Sequence, residues 1–263
     1  MAPDNHLTHG NCRFFHNDEL SIPTVQKTAR NTAEFATYGQ FRKACYIYRK
    51  PPHDDTSFVP KVIHMSAAIV LASGSEIRAQ LLANAGLDFT VSVARVDEHA
   101  VRASLLSEDA FPRDIADTLA ELKAQRVAVR HPEALVIGCD QILALGRDIF
   151  SKPQTPADAL SQLQSLRGQK HQLLSAAVIY GEGKPLWRHV GTVRLHMRDA
   201  SDAYLTDYID RNWDSIRESV GAYKMEEEGV RLFTRIEGDY FNVLGLPLLD
   251  LLSYLTRRGT LPT

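Results

Sequence analysis

Cysteine is scarce in this chain: three in 263 residues, Cys12, Cys45 and Cys139. An odd count with no C-x-x-C pair excludes both a disulfide framework and a thiolate zinc site, and fits a reducing, cytoplasmic compartment. Long apolar runs are missing too. None reaches the roughly 18 residues of a membrane span, and the N-terminus lacks the charged-then-apolar layout of a signal peptide. Nor is there an excess of charge of one sign. Thirty basic and 32 acidic side chains leave a formal net charge of -2, and beyond residue 64 acids outnumber bases 26 to 22. Such a balance supplies no cationic field to hold nucleic acid or an anionic membrane, so any phosphate chemistry must come from local charge. Several common chemistries lose support for want of their motifs: there is no G-x-x-x-x-G-K-[ST] loop, no G-x-G-x-x-G, no G-x-S-x-G elbow and no H-E-x-x-H pair. His99, His131, His171, His189 and His196 therefore read as structural or solvated, and Cys139, closing an apolar segment, as buried and inert.

What is present is an ordinary globular composition, 44% hydrophobic and 24% charged, enough for one sizeable core. Residues 1–64 stand apart. They hold five of the ten histidines, no sustained amphipathic period and the breakers Pro23, Pro51, Pro52 and Pro60, and are expected to be a disordered extension. A second region, 65–263, opens at Met65 with the apolar run Ile69-Val70-Leu71, a buried strand, followed by the polar loop Ala72-Ser73-Gly74-Ser75. Ile77, Leu81 and Leu82 then share a helical face before Gly86, and Phe89 to Val93 resumes as a strand. A helix is expected over Arg113–Val129, a buried strand over Ala134–Gly138 ending at Cys139-Asp140-Gln141, and a hairpin over Ile142–Ile149. Thr155-Pro156-Ala157-Asp158 reads as N-cap, first-turn proline and helix start. Gln172–Tyr180 and Trp187–Met197 form a predicted strand pair, Ser201 opens another helix, and Leu246–Arg258 is the last. This alternation predicts an α/β domain with a mixed twisted sheet and flanking helices.

Two constellations carry chemistry. Ser73-x-Ser75-x-x-Arg78 falls at a strand-to-helix junction, where unpaired backbone N–H groups, two hydroxyls and a guanidinium converge on a triphosphate-sized anion. Serines that merely cap the helix and a solvated Arg78 fit that spacing equally well. Asp140 is expected just past the end of its strand, on the rim where α/β sheets hold ligands, placed to orient a water or hold a cation. Lys152-Pro153, beyond the hairpin, returns towards the same rim. Glu98 and Lys123 are isolated charges that chemistry alone does not select.

Leu71 to Leu82 resembles the opening signature of the Maf family of nucleotide pyrophosphatases, long named septum formation inhibitors. Three further blocks agree in order: Val136-Ile137-Gly138-Cys139-Asp140-Gln141; Lys152-Pro153 with Leu166-x-Gly168-x-x-His171; and Gly221-Ala222-Tyr223 leading to Gly238-x-Tyr240-x-x-Val243-x-Gly245-Leu246-Pro247-Leu248. The resemblance spans residues 68–258. It implies two lobes about a deep cleft, similar in shape to inosine triphosphatases, often a homodimer, hydrolysing nucleoside triphosphates to monophosphate and pyrophosphate with Mg²⁺ or Mn²⁺. By position Asp140 matches the family's proton acceptor, and Ser73, Arg78, Glu98, Lys123 and Lys152 its cleft residues, with Ser75 in register among the phosphate-binding set. Glu98 and Asp140 are then the expected metal-holding carboxylates.

Members that prefer 7-methyl-GTP carry Gln after that Asp and Glu after the Ala-Tyr block, here Gln141 and Glu226, whereas Ile77 matches neither group. Two departures stand out. Glu76 replaces the usual proline, and the 64-residue extension reads as an over-long gene start with Met65 as the alternative. The rival reading is a non-catalytic nucleotide-binding regulator of septum formation, against which Asp140, Lys123 and Lys152 argue, since a pure binder needs no placed acid.

Overall fold

The computed structural model describes residues 67–262; the expectations for the N-terminal extension lie outside the described residues. The sheet has seven strands. β1 (Ile69–Leu71) leads through helix α1 (Glu76–Asn84) into β2 (Phe89–Val91), which lies parallel to it, the pairing that a helical crossover permits. Helices α2 (Glu98–Ser107) and α3 (Pro112–Ala128) then carry the chain to β3 (Leu135–Leu145), parallel to β1 on its other side. A turn at Gly146 returns β4 (Asp148–Phe150) onto the far end of β3. After α4 (Pro156–Leu166) the long antiparallel pair β5 (Lys170–Gly181) and β6 (Lys184–Met197) completes the centre. Helix α5 (Asp202–Ile216), two short 3₁₀ turns, edge strand β7 (Phe233–Glu237), the single turn α6 (Tyr240–Val243) and α7 (Leu248–Arg257) finish the domain. The strand order is β2-β1-β3-β5-β6-β7, with β4 on β3.

The expected mixed α/β architecture is therefore observed, and the predicted helix at Thr155 closes with a full capping box to Asp158. Three elements differ. Helix α2 was not expected, because only Val101 and Leu105 give it an apolar side and none of its residues is buried. Strand β7 was not expected because its burial lies at one end. Strand β6 begins at Lys184 and runs through Pro185, a residue that would stop a central strand.

Alternation along β3 divides the core. Leu135, Ile137, Cys139 and Leu143 face one way, packing Leu81 and Leu82 of α1 and Leu251 and Leu255 of α7 at one end, and Leu163 of α4 and Leu205 of α5 at the other. Val136, Ile142 and Ala144 face α3, against Leu119, Ala120 and Ala124. Each fully buried leucine contributes about 1.5–3 kcal/mol relative to exposure. Gly138 has no room for more: a β-carbon there would lie 2.1 Å from the Ala120 carbonyl oxygen and 2.6 Å from the Ala124 nitrogen. Glycine lets α3 lie directly on β3, two residues before Asp140.

Candidate active site

Asp140 lies in mid-strand, not past the strand's end as its apolar run suggested, since β3 continues to Leu145. A rim exists there for another reason. β1 stops at Leu71, opposite Ile137, and β4 begins pairing only at Leu143, so on that side β3 is unpaired by strands between Gly138 and Ile142. The gap places backbone polar groups where ligands or side chains must satisfy them. One is taken by Arg78, whose Nη1 donates to the Cys139 carbonyl at 3.3 Å.

The loop after β1 is organised around the same guanidinium. Arg78 Nε donates to the Gly245 carbonyl at 2.8 Å and Nη1 to the Ser73 hydroxyl at 3.2 Å, while the backbone N–H of Ser75 also donates to Ser73 Oγ at 3.2 Å. Ser75 is the N-cap of α1, yet its hydroxyl makes no capping bond. The polar loop is thus folded by Ser73 ahead of the N-terminus of α1, the end of a helix that favours anions.

On the α3 face, Lys123 Nζ donates to Asp140 Oδ1 at 2.6 Å and lies 2.8 Å from Glu98 Oε1, the first residue of α2. One ammonium is shared by two carboxylates from different elements. The Asp140 side chain is 6% exposed and that of Lys123 11%, whereas Glu98 at 46% reaches solvent. Burial raises the Asp140 carboxyl above its ordinary range, and the ammonium of Lys123 and the guanidinium of Arg78 work against that rise. Asp140 Oδ2 is buried without a hydrogen-bond partner among the described residues. A hard divalent cation commonly takes one or two protein carboxylates and completes its shell with water and phosphate oxygens. The orphaned Oδ2 and the nearby Glu98 fit that demand, although no group of three His, Cys, Asp or Glu suited to a metal occurs among the described residues.

The remaining sequence-selected residues are placed as follows. Lys152 sits after β4, exposed, its ammonium 3.1 Å from Glu218 Oε2, with the next residue, Pro153, buried. Ile77 is half-buried against the α1–α7 core cluster. Gln141 turns to the face opposite Asp140, where its Nε2 lies within 3.0–3.1 Å of Ser175 Oγ and the Asn242 and Val243 carbonyls, holding α6 to the sheet. Glu226 is exposed and makes no hydrogen bond or ion pair among the described residues, while its neighbours are engaged: Glu227 with Ser215 and Lys224, Glu228 with Arg211 and Asn212. Glu98, Lys123 and Asp140 thus form one contact group and Ser73 and Arg78 another, the two meeting on β3 where Arg78 holds the carbonyl of Cys139, next to Asp140. Glu218 was missed by sequence reading, being one acid in the charged stretch Arg217-Glu218 with no periodicity to mark it.

An α/β sheet opening beside a buried acid–lysine pair and a helix N-terminus is the kind of place where α/β domains bind ligands. The chain belongs to the Maf-like protein family, whose pattern matches residues 68–258. A nucleoside triphosphate pyrophosphatase of Roseobacter denitrificans is 63% identical over 198 residues, covering 75% of this chain and all of that protein. One of Ruegeria pomeroyi is 59% identical, covering 76% of this chain and all of that relative. A 7-methyl-GTP pyrophosphatase of Brucella abortus is 48% identical over 73% of this chain and 97% of its own length. These relatives carry enzyme names, so a non-catalytic septum regulator is not favoured. No helix among the described residues is long and apolar enough to cross a membrane.

Proposed function

We propose that this chain is a nucleoside triphosphate pyrophosphatase, hydrolysing its substrate to nucleoside monophosphate and pyrophosphate. The observation that carries this reading is Asp140, a buried carboxylate with one oxygen held by Lys123 and the other free, beside the Ser73–Arg78 loop. The relatives' names support it.

The residues divide the work. Ser75, the α1 amides and Arg78 hold phosphate oxygens, the guanidinium being oriented beforehand by Gly245, Ser73 and Cys139. Asp140 Oδ2 accepts a proton from the attacking water as its oxygen bonds to phosphorus and the anhydride bond breaks. A carboxylate raised by burial is a stronger base than an exposed one, and the ammonium of Lys123 favours its charged form. Lys123 and Lys152 offset charge on the transferred and leaving phosphates. A bound Mg²⁺ or Mn²⁺, held by Glu98 beside Asp140, would neutralise phosphate charge and acidify its water.

For the base, the reading favours a purine, 7-methyl-GTP or GTP, over dTTP. Support comes from the unpaired carboxylate of Glu226, which suits the N1–H and amino donors of guanine and a positively charged methylated ring. A cytoplasmic location fits the same reading through the sparse cysteines; a homodimer rests on the family resemblance. Pyrophosphate release assayed with each nucleotide and Mg²⁺ tests the proposal. Turnover lost in Asp140→Asn at unchanged fold is the expected result; near-normal turnover in that variant would remove Asp140 from the chemistry.

A further inference from the structure

Helix α2 delivers Glu98 to Lys123, yet it is weakly seated. None of its residues is buried, and only Val101 and Leu105 reach the apolar cluster on α3. Its position therefore depends on polar ties. The first is Glu98 itself. One turn later on the same face, Arg102 Nη1 donates to Ser151 Oγ at 3.0 Å, while Arg102 Nε is buried without a partner. Ser151 immediately precedes Lys152. The Ser151 carbonyl accepts from Gln162 Nε2 of α4 at 3.0 Å, the Lys152 carbonyl accepts from Gln154 Nε2 at 3.2 Å, and Lys152 Nζ reaches Glu218. The segment that presents Lys152 is thus tied to α4 on one side and, through Arg102 alone among these contacts, to α2 on the other.

We infer that Arg102 is a positioning residue for the pyrophosphatase reaction: by clasping Ser151 it fixes the helix that carries Glu98 against the segment that carries Lys152. This rests on the function proposed above. The guanidinium touches neither Asp140 nor Lys123; it sets the spacing between Glu98, which pairs with Lys123, and Lys152, which the proposed function assigns to the phosphates. A misplacement of about 1 Å is enough to cost up to two orders of magnitude in rate. A helix with so few buried contacts opens locally at little cost once a tie is cut.

The test combines Arg102→Gln, Ser151→Ala and the double variant of the full chain. Amide hydrogen exchange in residues 98–107 and 150–154, read without substrate, should rise in each single variant while the rest of the domain and the melting temperature hold. kcat/KM for the best nucleotide should fall on the order of 10- to 100-fold, and the double variant should be no worse than Arg102→Gln, because both changes cut one bond. Unchanged exchange in α2, or single losses that multiply in the double variant, would overturn the clasp. If wild type turns over no nucleotide while exchange responds as stated, the proposed activity fails and the clasp stands.

Discussion

Lys123 Nζ approaches Asp140 Oδ1 to 2.6 Å while Asp140 Oδ2 has no hydrogen-bond partner among the described residues. Half of this carboxylate is neutralised by the protein and half is left buried and unsatisfied. Such an arrangement is costly for stability and useful for chemistry.

Asp140→Asn should therefore remove activity without lowering stability at neutral pH. Burial raises the folded-state pKa above the unfolded value, so the folded protein binds the proton more tightly. Wild type then loses stability as pH rises from the ordinary carboxylate range, near 3.8, through the folded pKa. The melting-temperature difference, variant minus wild type, should be smallest at the acid end and grow across that window. Lys123 keeps Glu98 as a partner, which spares the variant an isolated buried ammonium. A difference that shrinks as pH rises would contradict the burial argument.

His171 predicts the opposite pH response. It is fully buried, Nε2 lies 2.9 Å from the Tyr223 hydroxyl, Nδ1 has no partner, and burial lowers its pKa to about 4. The unfolded chain takes up a proton near pH 6.5 and the folded one only near 4, so stability is lost as pH falls through that interval, by roughly 3 kcal/mol in all. In His171→Leu the decline between those pH values should flatten, measured by urea unfolding at several pH values. At pH 7.5 the same variant should be about 1–3 kcal/mol less stable, because the Tyr223 hydroxyl loses its partner.

Gly138→Ala places a methyl group against the α3 backbone, 2.1 Å from the Ala120 carbonyl oxygen. Backbone cannot swing aside, so α3 must move off β3. Destabilisation of about 1–3 kcal/mol or more is expected, together with a loss of turnover larger than the loss of folded protein explains, since Lys123 leaves Asp140. Full kcat in folded Gly138→Ala would show that the spacing between α3 and β3 is not critical.

The base preference is read from kcat/KM for 7-methyl-GTP, GTP, dTTP and UTP in wild type and Glu226→Gln. A purine preference that weakens by roughly tenfold in the variant is expected for one lost charge-assisted contact. A wild-type preference for dTTP or UTP, or an unchanged ranking, would reject it.

Removing residues 1–64 should leave kcat/KM within about twofold and melting temperature within a few degrees. The family match begins at residue 68, and a relative of 63% identity aligns over its whole length to 75% of this chain. A large drop in melting temperature on truncation would show that the extension packs on the domain.

Much was legible in the sequence because it is written in local patterns. Apolar runs marked β1 and the first half of β3, Thr155 and Pro156 announced a helix start, and the ordered blocks from Leu71 to Leu248 pointed to the family. Helix α2 was not legible, since its apolar face is two residues wide and it is seated by polar ties to Lys123 and Ser151 that lie 25 and 49 residues away from their partners in sequence. Tertiary structure alone decided that Asp140 and Gln141, adjacent in sequence, serve opposite faces: the two-residue period of a strand turns one to Lys123 and the other to the α6 carbonyls. It also decided where the open edge lies. That edge depends on where β1 ends and β4 begins, and strand ends are set by pairing between distant segments rather than by the residues at the edge itself.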